Sequence, residues 1–141
     1  MIVADVMSRD VEFLPAESSA QETAELMGEI DVGALPVGSA DRLLGIVTDR
    51  DVLYRVVAKG LDPVATRVRD FASRPVITCR PGDTLQSAMD VMAVNNVRRL
   101  PVLDAETDHV VGWITLADIS RTLLVTNSSV QQALRALTES D

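Results

Sequence analysis

The residues best placed to do chemistry are two copies of one short pattern, Thr48-Asp49-Arg50-Asp51 and Thr115-Leu116-Ala117-Asp118. Each follows the same kind of ending, Gly45-Ile46-Val47 in one case and Gly112-Trp113-Ile114 in the other. An apolar stretch handing over to polar residues there is a strand passing into a helix. Two readings fit that position. In the first, Thr and Asp form a capping box that satisfies free amide N–H groups, although Asp is a shorter partner there than Glu. In the second, the amides at the helix start attract phosphate and the threonine hydroxyl adds a hydrogen bond. A carboxylate one turn further on then accepts both hydroxyls of a ribose, so phosphate and sugar of a nucleotide are read by neighbouring groups. Finding the pattern twice, after the same strand ending, weakens the case for an incidental cap.

The elements that must position these residues are themselves duplicated. Met27, Leu35-Pro36-Val37, Gly45, Thr48 and Asp51 recur as Met92, Leu100-Pro101-Val102, Gly112, Thr115 and Asp118. The spacing lengthens by two residues between the Pro-Val pair and the glycine, where Gly38 to Asp41 and Asp104 to Asp108 read as hairpin turns that tolerate insertion. The chain is two copies of one unit of about 60 residues, found by looking for repeats first. Each copy is expected to open with a short helix (Val3 to Met7; Val68 to Phe71) and a short strand (Val11 to Leu14; Val76 to Cys79). An amphipathic helix follows, with Ala20, Thr23, Ala24 and Met27, or Leu85, Ala88, Met89 and Met92, on one face and Ser18 or Ser19 as a cap in the first copy. Two strands come next, Ala34 to Val37 with Leu43 to Val47, and Leu100 to Leu103 with Val110 to Ile114. A last helix starts after Thr48 or Thr115. Pro36 and Pro101 must sit at a strand start or an edge. Neither copy buries much core alone, so the two are expected to pack through their sheets.

Composition narrows the partners. The 141 residues are 47% apolar and only 3% aromatic, so the core is aliphatic. A formal charge of −8 speaks against a nucleic-acid backbone or an anionic membrane surface as partner. A small anion held by a few local arginines stays compatible with it. Cys79 is the sole cysteine, which rules out an internal disulfide and suits a reducing compartment. The amino terminus lacks the pattern of a signal peptide, and no apolar run approaches the roughly 20 residues that span a bilayer. A cytoplasmic protein is expected.

GIVTDRD and GWITLAD, each preceded by a Leu-Pro-Val strand and a helix ending in Met, resemble the cystathionine-beta-synthase (CBS) domain. Two in tandem resemble the pair called a Bateman module, over about residues 3–124, and the arrangement is similar to small stand-alone bacterial CBS-pair proteins. The resemblance implies an α/β (α+β) fold of two β-α-β-β-α units around a pseudo-two-fold axis. Residues 1–63 would form the first domain, 64–125 the second, and 126–141 a C-terminal amphipathic helix with Val130, Leu134 and Leu137 on one face. Between the units it implies two clefts that take adenosine compounds: AMP, ADP, ATP, NAD or S-adenosylmethionine. Asp51 and Asp118 would accept the ribose, with Thr48 and Thr115 at the phosphate or ribose side. Val32-Gly33-Ala34 and Val97-Arg98-Arg99 would line the adenine and phosphate. The family also implies a homodimer.

The arginines carry an argument of their own. A guanidinium pair beside a helix start can hold a di- or triphosphate through bidentate hydrogen bonds, against the plainer reading of a solvent-facing side chain paired with a surface acid. At strand spacing Arg98 and Arg99 point apart, so one of them, Arg98 by preference, is expected at a given ligand. Arg50 replaces the Ala117 of the second motif, adding charge to the first cleft or lying on the surface. Catalysis finds little support: His109 is the only histidine and falls in a turn, and no nucleophile elbow is present. Cys79 and His109 fall short of a closed zinc site. Cys79 and Trp113 read as packing residues. The expectation is a non-enzymatic module that binds an adenosine nucleotide and signals to a separate protein. The alternatives are a structural or interaction dimer without a nucleotide, and a metal-binding CBS pair.

Overall fold

The computed structural model describes residues 1–126 and 128–139, with the backbone alone at 126, 128, 130, 134, 138 and 139. In the first copy, α1 (Ala20–Ile30) starts at Ser19. The Ser19 hydroxyl accepts from the Glu22 amide at 3.0 Å while the Glu22 carboxylate accepts from the Ser19 amide at 3.2 Å, a complete capping box. α1 buries Ala20, Thr23 and Met27, which are three of the four residues of the anticipated face. β1 (Ala34–Ser39) and β2 (Arg42–Thr48) form an antiparallel hairpin. α2 (Asp49–Val52) follows and widens into a π-helical turn over Leu53–Val57, where the Ala58 amide reaches the Leu53 carbonyl at 2.9 Å. The second copy repeats the order with α3 (Val68–Phe71), α4 (Leu85–Asn95), the antiparallel pair β3 (Arg99–Leu103) and β4 (Val110–Thr115), and α5 (Leu116–Thr126). α6 (Ser128–Glu139) closes the description. Leu137 on it is exposed, while the Val130 and Leu134 side chains lie outside the described residues.

Three expectations need correction. The opening helix over Val3 to Met7 is a single 3-10 turn, Val3–Asp5. The strands over Val11 to Leu14 and Val76 to Cys79 shrink to one bridging residue each, Leu14 beside Val37 and Cys79 beside Val102, both parallel. The prolines explain this. Leu14 donates to the Pro36 carbonyl at 2.9 Å and accepts from the Gly38 amide at 2.9 Å. The next rung of a parallel ladder would need an N–H on Pro36, which has none. Cys79 meets the same stop: it donates to the Pro101 carbonyl at 3.1 Å and accepts from Leu103 at 2.9 Å. Both prolines therefore sit inside their strands, on the side away from the hairpin partner. Finally, the interior is two aliphatic clusters rather than one shared between sheets.

Those clusters exchange their openings. Val3 and Met7, from the start of the chain, are buried among Leu85, Met92, Leu100 and Ile114 of the second copy. Val68, Phe71 and Ala72 are buried among Leu35, Val37, Val47 and Val56 of the first. Each opening segment also pairs with a strand of the other copy. Ser8 and Trp113 exchange amide hydrogen bonds of 2.9 Å, and Ser73 and Ile46 exchange bonds of 2.7 and 3.2 Å. The repeated glycines mark these crossings. A Cβ on Gly112 would lie 3.0 Å from the Ser8 carbonyl oxygen, and one on Gly45 would lie 3.1 Å from that of Ser73. Glycine is required because another backbone passes there.

Candidate functional site

The first Thr-Asp motif opens α2 at the end of β2, and the exchange brings Ser73 alongside it. A cleft of about 650 Å³ lies here. Its lining comes from Ile46, Thr48, Asp49 and Arg50, from Ser73, Pro75, Val76 and Ile77, and from Asn96, Val97, Arg98 and Arg99. The last group comes from the turn between α4 and β3, where Asn96 takes the left-handed conformation at φ 53° and ends the helix. The Thr motif of one copy thus faces the residues before the Pro-Val strand of the other.

Arg98 and Arg99 differ from expectation, since both line this cleft. β3 begins only at Arg99, so strand alternation does not separate the pair. Both also border a neighbouring hollow of about 410 Å³ with Leu116, Ala117 and Ser120. Arg98 is exposed and Arg99 half-buried, and among the described residues neither side chain has a hydrogen bond or ion pair. Arg50 rests its guanidinium over the Tyr54 ring at 5.9 Å. The one carboxylate in the lining, Asp49, accepts from the Arg50 amide at 2.8 Å. The lining is positive although the chain is strongly acidic.

Both Thr-Asp pairs are complete capping interactions. Thr48 Oγ1 accepts from the Asp51 amide at 3.1 Å, and Asp51 Oδ2 accepts from the Thr48 amide at 2.9 Å. The second pair shows the same two bonds at 3.1 and 3.3 Å. Beyond the cap the two aspartates part company. Asp51 is buried and stands one hydrogen bond behind the cleft wall, its two oxygens each 3.1 Å from the Ser73 hydroxyl that donates to them. Arg55 lies 3.6 Å from the same carboxylate and donates to the Phe71 carbonyl at 3.2 Å. Asp118 is partly exposed and pairs with Arg121 instead. Thr115, Asp118, Val32, Gly33 and Ala34 line neither of the two hollows; the Gly33 carbonyl accepts from Asp49 within its own copy at 2.9 Å. The sequence reading did not assign Ser73, Pro75, Val76, Ile77 or Asn96 to the site. Extending the repeat upstream would have flagged Ser73, because Ser73-Arg74 repeats Ser8-Arg9 at the spacing that relates Met92 to Met27.

A family model of the CBS domain matches residues 3–58 and 68–125. The chain belongs to the CBS-domain family. It is a tandem CBS pair of α+β class. It is similar to the CBS domain-containing protein YhcV of Bacillus subtilis, at 35% identity over 96% of this chain and 92% of that one. Hypoxic response protein 1 of Mycobacterium tuberculosis is 35% identical over 84% and 82% of the two chains. The crystal structure of Hypoxic Response Protein I with two coordinated zinc ions matches with a TM-score of 0.77 at 34% identity, covering 87% of this chain and 99% of that one. A CBS domain pair solved with 5′-methylthioadenosine and S-adenosyl-L-methionine shares the fold, with a TM-score of 0.78 at 24% identity over 90% and 98% of the chains. CBS pairs of this kind are regulatory modules.

Among the described residues no three His, Cys, Asp or Glu side chains cluster to hold a metal ion. The two candidates raised by the sequence are apart in character. Cys79 is buried in the second core, where loss of solvent and then the Asp83 charge push its thiol up to about 12, while His109 is exposed in the β3–β4 loop. Among the described residues no helix is long and apolar enough to cross a membrane.

Proposed function

We propose that this CBS pair is a regulatory module that binds an adenosine-containing ligand in the cleft between Thr48–Arg50 and Val97–Arg99. One observation carries the reading: Thr48, Asp49 and Arg50 of the first motif line one cleft with Arg98 and Arg99 of the other copy, which have no ion pair among the described residues. In this reading Thr48 and the arginines face the phosphate side, and Asp51 takes the ribose hydroxyls by giving up the Ser73 hydroxyl. A chain of the same fold holds adenosyl compounds, which supports the choice of ligand. Thr115, Asp118 and Val32-Gly33-Ala34 are proposed as a second, related subsite. A ligand that ties α2 to the α4–β3 turn favours one relative placement of the copies, and it can shift the equilibrium only by its difference in affinity for the two placements. The readout passes to a separate protein. Leu53, Tyr54 and Val57, 51 to 63% exposed in the wide turn after α2, offer an apolar surface for a second copy in a homodimer or for that partner. A cytoplasmic location and the absence of catalysis belong to the same reading.

The test is a thermal-shift panel with AMP, ADP, ATP, NAD and S-adenosylmethionine on the wild type, Asp51→Ala and Asp118→Ala, each compared with its own ligand-free midpoint. At a hundredfold excess over Kd a true ligand adds about 2.7 kcal/mol to stability. A shift abolished by Asp51→Ala supports the assignment; a shift unaffected by both substitutions removes the ribose role. A second reading, an interaction dimer without nucleotide, is favoured by one observation: both motifs are already complete as helix caps. No shift with any compound in the panel would select it.

A further inference from the structure

We infer that the tips of the two hairpins form a pH-sensitive tie between the copies, in which a charged His109 imidazole joins Asp41 of the first copy to the acidic β3–β4 loop of the second. The tie is independent of any ligand in the cleft. The Val110 amide of the second copy donates to the Ala40 carbonyl of the first at 2.7 Å. Val110 is buried, so the bond is shielded from water although it lies at the end of both hairpins. His109 and Asp41 are the chain neighbours of the two bonded residues, one from each copy. This junction stands at the far end of the strands from the cleft. β2 runs from Arg42 at the tip to Thr48 at the cleft, and β3 from Arg99 at the cleft to Leu103 at the tip.

The charges around the junction show why the histidine matters. On the first copy Asp41 accepts a 2.6 Å hydrogen bond from the Ser39 hydroxyl, and Arg42 beside it has no ion pair among the described residues. On the second copy the loop carries Asp104, Glu106 and Asp108. Arg80 answers Asp108 at 2.7 Å and donates to the Asp104 carbonyl at 2.7 Å, while Asp83 turns back onto the Arg80 amide at 2.9 Å. Asp104 accepts from the Glu106 and Thr107 amides at 2.9 and 3.0 Å. The Ser39 hydroxyl first, then the Asp41 amide and the His109 charge hold the Asp41 carboxyl below its ordinary range. The Thr107 and Glu106 amides do the same for Asp104, with the Thr107 hydroxyl and His109 adding to them. Both acids therefore stay ionised where His109, the sole histidine, changes charge, between about pH 5 and pH 8. Protonated, the imidazole attracts the acids of both tips; neutral, it leaves them to repel each other. The tie holds below the histidine range and loosens as pH rises through it. His109 and Asp41 are exposed, so the effect is a few-fold and weakens with salt.

The experiment is amide exchange at Val110, whose proton makes the bond itself. It is measured at about pH 5.5 and about pH 7.5, on either side of the ordinary histidine value, as protection relative to the free-chain rate at each pH. The Trp113 and Ile46 amides, which donate across the copies to Ser8 and Ser73 at 2.9 and 3.2 Å, serve as controls. The expected result is about threefold more protection of Val110 at the lower pH, with both controls unchanged. His109→Gln should show the weaker protection at both pH values. His109→Lys, which keeps a positive charge, should show the stronger protection at both. Asp41→Asn, whose amide oxygen still accepts from Ser39, should shrink the pH response. Equal protection of Val110 at the two pH values, a response that survives His109→Gln, or controls that move in step with Val110 would each overturn the inference.

Discussion

Asp51 and Asp118 perform the same local task and differ in what surrounds them. Asp51 holds the Thr48 amide, the Ser73 hydroxyl and the Arg55 side chain from a position only 8% exposed. Asp118 caps its helix and pairs with Arg121 at the surface. Removing the first strips a cap, takes the acceptor from the half-buried Ser73 hydroxyl and leaves Arg55 without its carboxylate, so Asp51→Ala should cost about 2 kcal/mol of unfolding free energy. Asp118→Ala should cost about 1 kcal/mol or less, as the loss of a helix cap alone. Urea unfolding of both variants checks the order; equal losses would contradict it. Cys79 supplies a second test. Burial first, and Asp83 second, raise its thiol to about 12 from 9.0, so the unfolded chain gives up that proton before the folded one. Stability from this site is present below about pH 9 and declines as pH climbs from there toward 12. A disulfide-exchange reagent at neutral pH should label the native thiol only as fast as the protein unfolds. The motif itself was legible because Thr and Asp lie on one helical turn. The burial of Asp51 was not, since Ser73 arrives from 22 residues away.

At the scale of elements, the repeat was legible and the exchange of opening segments was not. Periodicity placed α1, α4 and both hairpins, because an amphipathic face repeats within a few residues. It could not say that Val3 and Met7 are buried against the second copy, a pairing set by packing across the chain. Two residue types did carry a trace. Gly45 and Gly112 recur because a foreign backbone crosses there, and Pro36 and Pro101 recur where a third strand must stop after one rung. Removing residues 1–8 should therefore weaken the copy they do not belong to. Amide exchange should quicken in α4, β3 and β4 while the β1–β2 hairpin keeps its protection; uniform loss, or loss confined to the first copy, would contradict the exchange. Val3→Ala and Val68→Ala, at positions fully removed from solvent, should each cost about 2 kcal/mol and destabilise opposite cores.

The whole molecule joins an acidic surface to a basic cleft. A charge of −8 disfavours polyanions in general, while Arg50, Arg98 and Arg99 concentrate positive charge in one cleft, the place proposed for a small anion. That place exists because two copies of one unit meet, so on the proposed reading ligand binding and the placement of the copies are a single equilibrium. The most direct test is residue-resolved: ¹⁵N–¹H spectra recorded while ATP is added. The account predicts saturable shifts at Thr48 to Asp51, at Ser73 and at Val97 to Arg99, with α1 unmoved. Spectra that do not change, or shifts that gather elsewhere and leave both walls of the cleft unperturbed, would contradict it.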